Sequence, residues 1–363
     1  MKRAWHAVFA LFTACLSPGG DRAALDLEVG HGEGNGARIT VEEGLAAVRA
    51  VESGALRLWA SAPVLTMRVH FDDGAAEAWD VIVDNSLPDA ALTVATEAGE
   101  TIPVQTSPGE FPTQRRFRFP LGQSRDFVLS LRPPDADDPS SFRFALLSDV
   151  QEALDRVQDI YARLNTDPSI RFVLSAGDLT DKGTAEEHDR FQKELRSLRV
   201  PFYATLGNHD IAAGDGIYQR YFGRGSFRFV YRGVQFTLLD SASASIEPAV
   251  YDMLSGWLDE GRNRAHVVAM HIPPLDPVGE RNAAFGSRNE AGALLERLAA
   301  GNVDITLYGH IHAHYNFSNA GIPAVVSGGG GAHPEKMAGI GRHYVTVNID
   351  EKGALQTGVV RVD

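Results

Sequence analysis

The chain has 363 residues and a formal net charge of −13, from 34 Lys and Arg against 47 Asp and Glu. That negative surplus excludes a nucleic-acid backbone or an anionic membrane surface as the main partner, because both require a basic face. A small anionic substrate stays open, since a bound metal reverses the local sign; the length gives room for two domains of ordinary globular composition.

At the N-terminus, Lys2 and Arg3 precede the short apolar run WHAVFALFTA, which ends at small residues and Cys15. The run reads as a targeting segment, residues 1–15. It is too short for a membrane-spanning helix, which needs about 20 apolar residues. Cys15 is the only cysteine, so no internal disulfide can form. FTAC followed by LSPGG resembles a bacterial lipoprotein signal, with Phe12 where such signals carry an aliphatic residue. The resemblance implies an exported chain anchored to an envelope membrane only through lipid on Cys15; the alternative is a periplasmic or secreted protein.

Residues 16–36 are rich in Gly, Ala and Asp and are expected to form a flexible tether. From 37 to 132 the hydrophobic pattern has period two, as in Leu56, Leu58 and Ala60, then Met67, Val69 and Phe71, then Phe127, Leu129 and Leu131. Turn signals such as DDG, DNS and SPGE separate the runs. This predicts a small all-β, antiparallel sandwich of immunoglobulin or fibronectin type. PPDADDPSS, 133–141, reads as a linker.

After Phe142 the pattern becomes α/β, and residues 142–363 are expected to form the catalytic domain. FRFALL, RFVLSA, FYATL, HVVAM, ITLY and AVVS alternate with helical segments. EALDRVQDIYARLN has helical spacing, TAEEHDRFQKELRSLR opens with a capping box at Thr184 and Glu187, and NEAGALLERLAA can start from Asn289. His188 and His266 are expected to be exposed.

Five strand-like runs end in residues that bind metals: Asp149 and Gln151; Asp178 and Asp181; Asn208, His209 and Asp210; His271; and His310 and His312. The histidines of YGHIHAH, 308–314, stand at every second position, so in an extended chain they share a side. Alone, that stretch reads equally as a solvated loop. Ligands gather at the carboxyl ends of strands in α/β sheets, and five coincidences favour a composite metal site.

The pieces SDVQ (148–151), GDLTD (177–181), GNHD (207–210), AMHIPP (269–274) and GHIH (309–312) strongly resemble the calcineurin-like metallophosphoesterases, over about 142–340. The resemblance implies two packed mixed β-sheets flanked by helices, with a two-metal site at one edge. It implies that Asp178 bridges the metals, that one metal takes Asp149, His312 and what Gln151 supplies, and that the other takes Asn208, His271 and His310. His209, off the metals, would donate a proton or hydrogen bond to the phosphoryl or leaving oxygen, with Asp210 orienting it. The implied activity is hydrolysis of a mono- or diester by a metal-activated water or hydroxide, on a small-molecule or protein substrate. Two cations about 3.5–4 Å apart suit that reaction, and mixed imidazole, carboxylate and amide ligands point to Mn, Fe or Zn. Most of the family has DxH where this chain has Asp149-Val150-Gln151. That departure motivates the alternative of a catalytically impaired exported binding or scaffold protein. A metallo-β-lactamase-like site is disfavoured, because GHIHAH lacks the Asp of HxHxDH.

Asp181 is expected to form a turn, Asp240 to support a loop, His314 to lie outside the ligand set, and His333 to sit in a turn after GGGG (328–331). Arg281 and Arg288, in the long loop 272–288, are candidate phosphate contacts.

Overall fold

The computed structural model of the chain describes residues 20–279, 282–337 and 340–362. The expected targeting segment with Cys15, and Arg281, lie outside those residues.

The period-two runs fold into two sheets. The first has the order His31–Gly34, Ala37–Val41, Leu65–Phe71, Asp126–Arg132, Ala91–Thr96, Thr101–Ile102. The second has the order Ala46–Glu52, Ala55–Ala60, Ala78–Asp84, Arg115–Pro120, Gln105–Ser107. Alternation in LTMRVHF turns Leu65, Met67, Val69 and Phe71 inward. Phe71 then packs against Trp79 at 4.8 Å and Phe127 at 5.7 Å between ring centres. One pairing departs from the antiparallel expectation: Ala55–Ala60 and Ala78–Asp84 run parallel.

The tether expected over 16–36 is not a tether where it is described. Gly20–Glu28 is an α-helix with Arg22, Ala23 and Asp26 buried, and a strand follows at His31–Gly34. Composition misled here because what decides the conformation is a set of partners some 200 residues away, such as Asp240, 218 positions from Arg22. The linker 133–141 is pinned as well. Asp135 accepts from the Tyr231 hydroxyl at 2.7 Å, and Asp138 pairs with Arg232 at 3.1 Å.

Beyond Phe142 stand two mixed sheets. One runs Phe202–Ala204, Ile170–Ser175, Phe142–Leu146, His343–Ile349, Leu355–Arg361; the other runs Phe227–Tyr231, Val234–Leu239, His266–Met270, Ile305–Tyr308, Ile322–Ser327, His314–Asn319. All six residues of VQFTLL are buried, as expected for a strand covered on both faces. Phe144, Phe172, Phe229 and Phe236 meet between the sheets, with Phe229 and Phe236 stacked at 4.9 Å. This core is continuous with that of the N-terminal sheets.

The helix Ala185–Leu195 starts as the capping pattern predicts, Thr184 Oγ1 accepting from the Glu187 amide at 3.3 Å. Glu187 returns its carboxylate to the Lys182 amide instead of to Thr184. The helix Arg288–Ala300 is capped by Ser287, not Asn289. EALDRVQDIYARLN is α-helical only over Gln158–Leu164.

His188 and His266, expected at the surface, are fully buried. His188 donates from Nδ1 to the Thr184 carbonyl at 2.8 Å, and His266 Nε2 lies 2.8 Å from Thr237 Oγ1. Burial, helped by nearby Arg264, holds His266 down to about 4. The native state therefore keeps it neutral, while the unfolded chain protonates it from about pH 6.5 downward. Its stabilising contribution is intact above that value and is lost as pH falls toward 4. Between pH 7 and pH 5 this one residue should cost the native state about 2 kcal/mol. Denaturant melts at the two pH values should show a smaller loss for His266→Gln than for wild type; equal losses would contradict it.

Candidate metal centre

Within each mixed sheet the central strands run parallel, so their carboxyl ends deliver several loops to one edge. These loops brace one another through their backbones. Asp149 N donates to Gly177 O at 3.1 Å, Gly309 N to His271 O at 3.1 Å, and Gly330 N to Ser148 O at 2.8 Å. The approach is close enough to require glycine at Gly207, where a Cβ would stand 2.1 Å from Asp178 Oδ1. Asp149, Gln151, Asp178 and His310 all have positive φ, between 43° and 69°. For non-glycine residues this costs about 1–2 kcal/mol each, a strain that persists only where the surroundings over-determine it.

The ligand-type atoms of Asp178, His271 and His310 all lie within 4.8 Å of one another. His271 is fully buried, and its Nδ1 lies 2.9 Å from the Ala176 carbonyl. A carbonyl only accepts, so Nδ1 carries a proton, and Nε2 faces Asp178 Oδ2 and Asn208 Oδ1, each at 3.1 Å. His312 repeats the arrangement. Its Nδ1 donates to the His333 carbonyl at 2.7 Å, and its Nε2 stands 3.4 Å from Asp149 Oδ1. At both places Nε2 meets a carboxylate oxygen, an arrangement that a proton or a metal ion on that nitrogen satisfies, and the donor set fits metal, with Asp178, Asn208, His271 and His310 at one pole and Asp149 and His312 at the other.

Burial alone would raise the Asp178 carboxyl, but the facing His271 and the nearby His209 bring it well below the usual carboxylate range. His271 moves the opposite way: burial would lower it, and Asp178 with Asp149 and Asp210 raises it.

Gln151 joins the centre but not through its oxygen. Its Nε2 donates to Asp178 Oδ2 at 2.5 Å, making it a hydrogen-bond donor to the central carboxylate.

His209 and Asp210 do not form the expected pair. Asp210, fully buried, accepts from the amides of Leu179, Thr180 and Gly207 and from the Thr180 hydroxyl, all between 2.9 and 3.2 Å. It locks the loop of Asp178 to the loop of Asn208. Burial, with Asp178 nearby, pushes its carboxyl up. His209 is oriented by Asp181, whose carbonyl takes Nδ1–H at 2.7 Å. The His209 amide donates to Asp178 Oδ1 at 2.9 Å.

A cleft of about 600 Å³ opens over the centre, lined by Gln151, Glu152, Asp181, His209, His312 and the segment His333–Lys336. The sequence reading missed what the glycine run does. A Cβ on Gly330 would fall 2.5 Å from the Ser148 carbonyl, and beyond the run the Ala332 and Glu335 amides donate to the Asp149 and His312 carbonyls. Segment 328–335 thus clamps the Asp149 and His312 loops together. The four consecutive glycines were the available signal. His333 serves through its carbonyl while its side chain is exposed. His314 packs against His343, rings 5.7 Å apart, outside the centre. Arg288 begins its helix and donates to Asn282.

Two mixed sheets delivering buried carboxylates and histidines to one edge define a metal-site hydrolase fold. Residues 142–314 match the calcineurin-like phosphoesterase family. It is 32% identical to a 3′,5′-cyclic-nucleotide phosphodiesterase of Nostoc sp. over 170 residues, covering 41% of this chain and 58% of that protein. It therefore spans less than two thirds of that relative's length. It is 24% identical to the 3′,5′-cyclic adenosine monophosphate phosphodiesterase CpdA of Pseudomonas aeruginosa over 241 residues, 59% of this chain and 82% of that one. The solved structure of PhoD superposes with a TM-score of 0.48 at 12% identity, over 82% of this chain and 86% of that one.

A histidine at 151 would offer a ring nitrogen where an amide N–H now stands. Gln151→His should strengthen Zn²⁺ binding at this centre by about tenfold or more, and Mn²⁺ binding less. Calorimetric titration of metal-free protein with each ion checks this; identical isotherms for wild type and variant would remove position 151 from the centre.

Proposed function

We propose that this protein is a metal-dependent phosphoesterase that uses two ions and acts on small phosphodiesters, cyclic nucleotides among them. The observation that carries the reading is the orientation of His271 and His312: each spends its Nδ1 proton on a carbonyl and turns Nε2 to an aspartate. The diester preference is supported by the two cyclic-nucleotide phosphodiesterases to which the chain is similar.

Two cations bound there would neutralise phosphoryl oxygens and supply an acidified water. The protein's own groups do the rest. Asp178 would hold a cation with Asn208, His271 and His310, and Asp210 and the positive-φ backbone keep the carboxylates in place. Glu152, His333 and Lys336 border the cleft where the ester would lie. His209, with Nδ1–H held by the Asp181 carbonyl, keeps Nε2 for the leaving oxygen and passes a proton to it.

On metal-reconstituted protein, bis(p-nitrophenyl) phosphate and 3′,5′-cyclic AMP should be hydrolysed faster than p-nitrophenyl phosphate. His209→Ala should lower kcat about 10²–10⁴-fold with metal content unchanged. Absence of turnover on all three esters, with metal bound, would favour the impaired scaffold instead, and metal loss in His209→Ala would make that residue structural.

We also propose residues 37–132 as an accessory β-sandwich of immunoglobulin or fibronectin kind, 142–363 as the catalytic domain, and Cys15 as the lipidated first residue of an exported chain. Intact mass of the membrane-fractionated protein should show the lipid; a mature N-terminus beyond Cys15 would exclude it.

A further inference from the structure

The helix Gly20–Glu28 contains no ligand of the metal centre, yet its buried side chains meet the loops that hold one half of it. Arg22, 3% exposed, donates from Nε to Asp240 Oδ2 at 2.8 Å, from Nη1 to Asp215 Oδ1 at 3.2 Å, and from Nη2 to Ser243 Oγ at 2.8 Å. Asp215 lies in the segment that follows GNHD. Asp240 and Ser243 lie in the loop after Val234–Leu239.

That second loop reaches the residue next to His271. Ser241 Oγ, next to Asp240, accepts from the Ile272 amide at 2.8 Å, one residue past His271. The same helix grips a third segment through Asp26, whose carboxylate accepts from the amides of Gly225 and Ser226 at 2.8–3.0 Å. Gly225 in turn accepts from Thr205 Oγ1 at 2.7 Å, on the strand end that leads to Asn208. Ser226 Oγ accepts from the Asp240 amide at 2.9 Å, which joins the two branches. One helix thus stands behind both Asn208 and His271. The Asp149–His312 pole leans instead on segment 328–335.

We infer that Arg22 is a positioning residue for the Asn208–His271 pole, acting through Asp215, Asp240 and Ser241 from outside the centre. The inference rests on the metal-centre reading above. Its physical basis is charge. Arg22 ties the mostly buried Asp240 to the more exposed Asp215 on a separate loop, and without it Asp240 loses that buried counter-ion and the tie between the loops is lost. A lysine presents one compact charge without the planar fork, and can serve one aspartate well but not both.

The test is calorimetric titration of metal-free protein with Mn²⁺, alongside thermal melting, on wild type, Arg22→Ala, Arg22→Lys and Val69→Ala. Val69, in the core of the N-terminal sheets, is the control for loss of stability alone. Wild type should show two binding events. Arg22→Ala should weaken one about 10–100-fold, the usual effect of losing a group that supports a ligand, and leave the other unchanged. Arg22→Lys should fall between, and Val69→Ala should melt earlier with both affinities intact. Arg22→Ala with both affinities unchanged would overturn the inference, as would equal weakening of both sites in Arg22→Ala and Val69→Ala. If Arg22→Ala does not fold, wild-type affinities at both sites in Arg22→Lys would overturn it. No uptake of Mn²⁺ by wild type would instead contradict the metal centre itself.

Discussion

Two imidazole rings fixed so that Nε2 faces a carboxylate govern this structure. Neither ring can turn away, because each Nδ1–H is held by a backbone carbonyl, Ala176 for His271 and His333 for His312. A buried carboxylate and ring nitrogen opposed in this way need a proton or a metal ion between them. The surrounding features keep that opposition in place: left-handed backbone at Asp149, Asp178 and His310, glycine at 207, and a buried Asp210 used as a backbone clamp. The net charge of −13 is no obstacle to an anionic ester, since the centre is where cations reverse the sign.

Much of this was legible in the sequence because strands announce their ends. A short apolar run followed by Asp, Asn or His, five times over, places polar ligands at one sheet edge without knowledge of the strand order. The switch from period-two runs to continuous apolar runs near Phe142 likewise separated half-exposed sheets from sheets covered on both faces.

What escaped depends on pairs distant in sequence. Nothing local in GDRAALDLE reports that Arg22 will meet Asp240 or that Asp26 will take the Gly225 and Ser226 amides, so a docked helix read as a tether. His188 and His266 read as exposed because histidine usually is; their burial follows from Thr184 and Thr237 supplying partners. Asp210 read as the partner of His209 by adjacency, whereas the fold gives that task to a backbone carbonyl at Asp181. The sequence left open what Gln151 supplies to the centre, and the geometry gives its amide N–H to Asp178.

The central claim is that the histidines and carboxylates gathered around Asp178 are a site for two cations. Anomalous diffraction from crystals of the Mn²⁺-loaded protein tests it most directly. The account predicts two peaks flanking the Asp178 carboxylate, one beside His271 and Asn208 and the other beside Asp149 and His312. A map with no peak at Asp178, or with manganese bound only elsewhere on the protein, would contradict it.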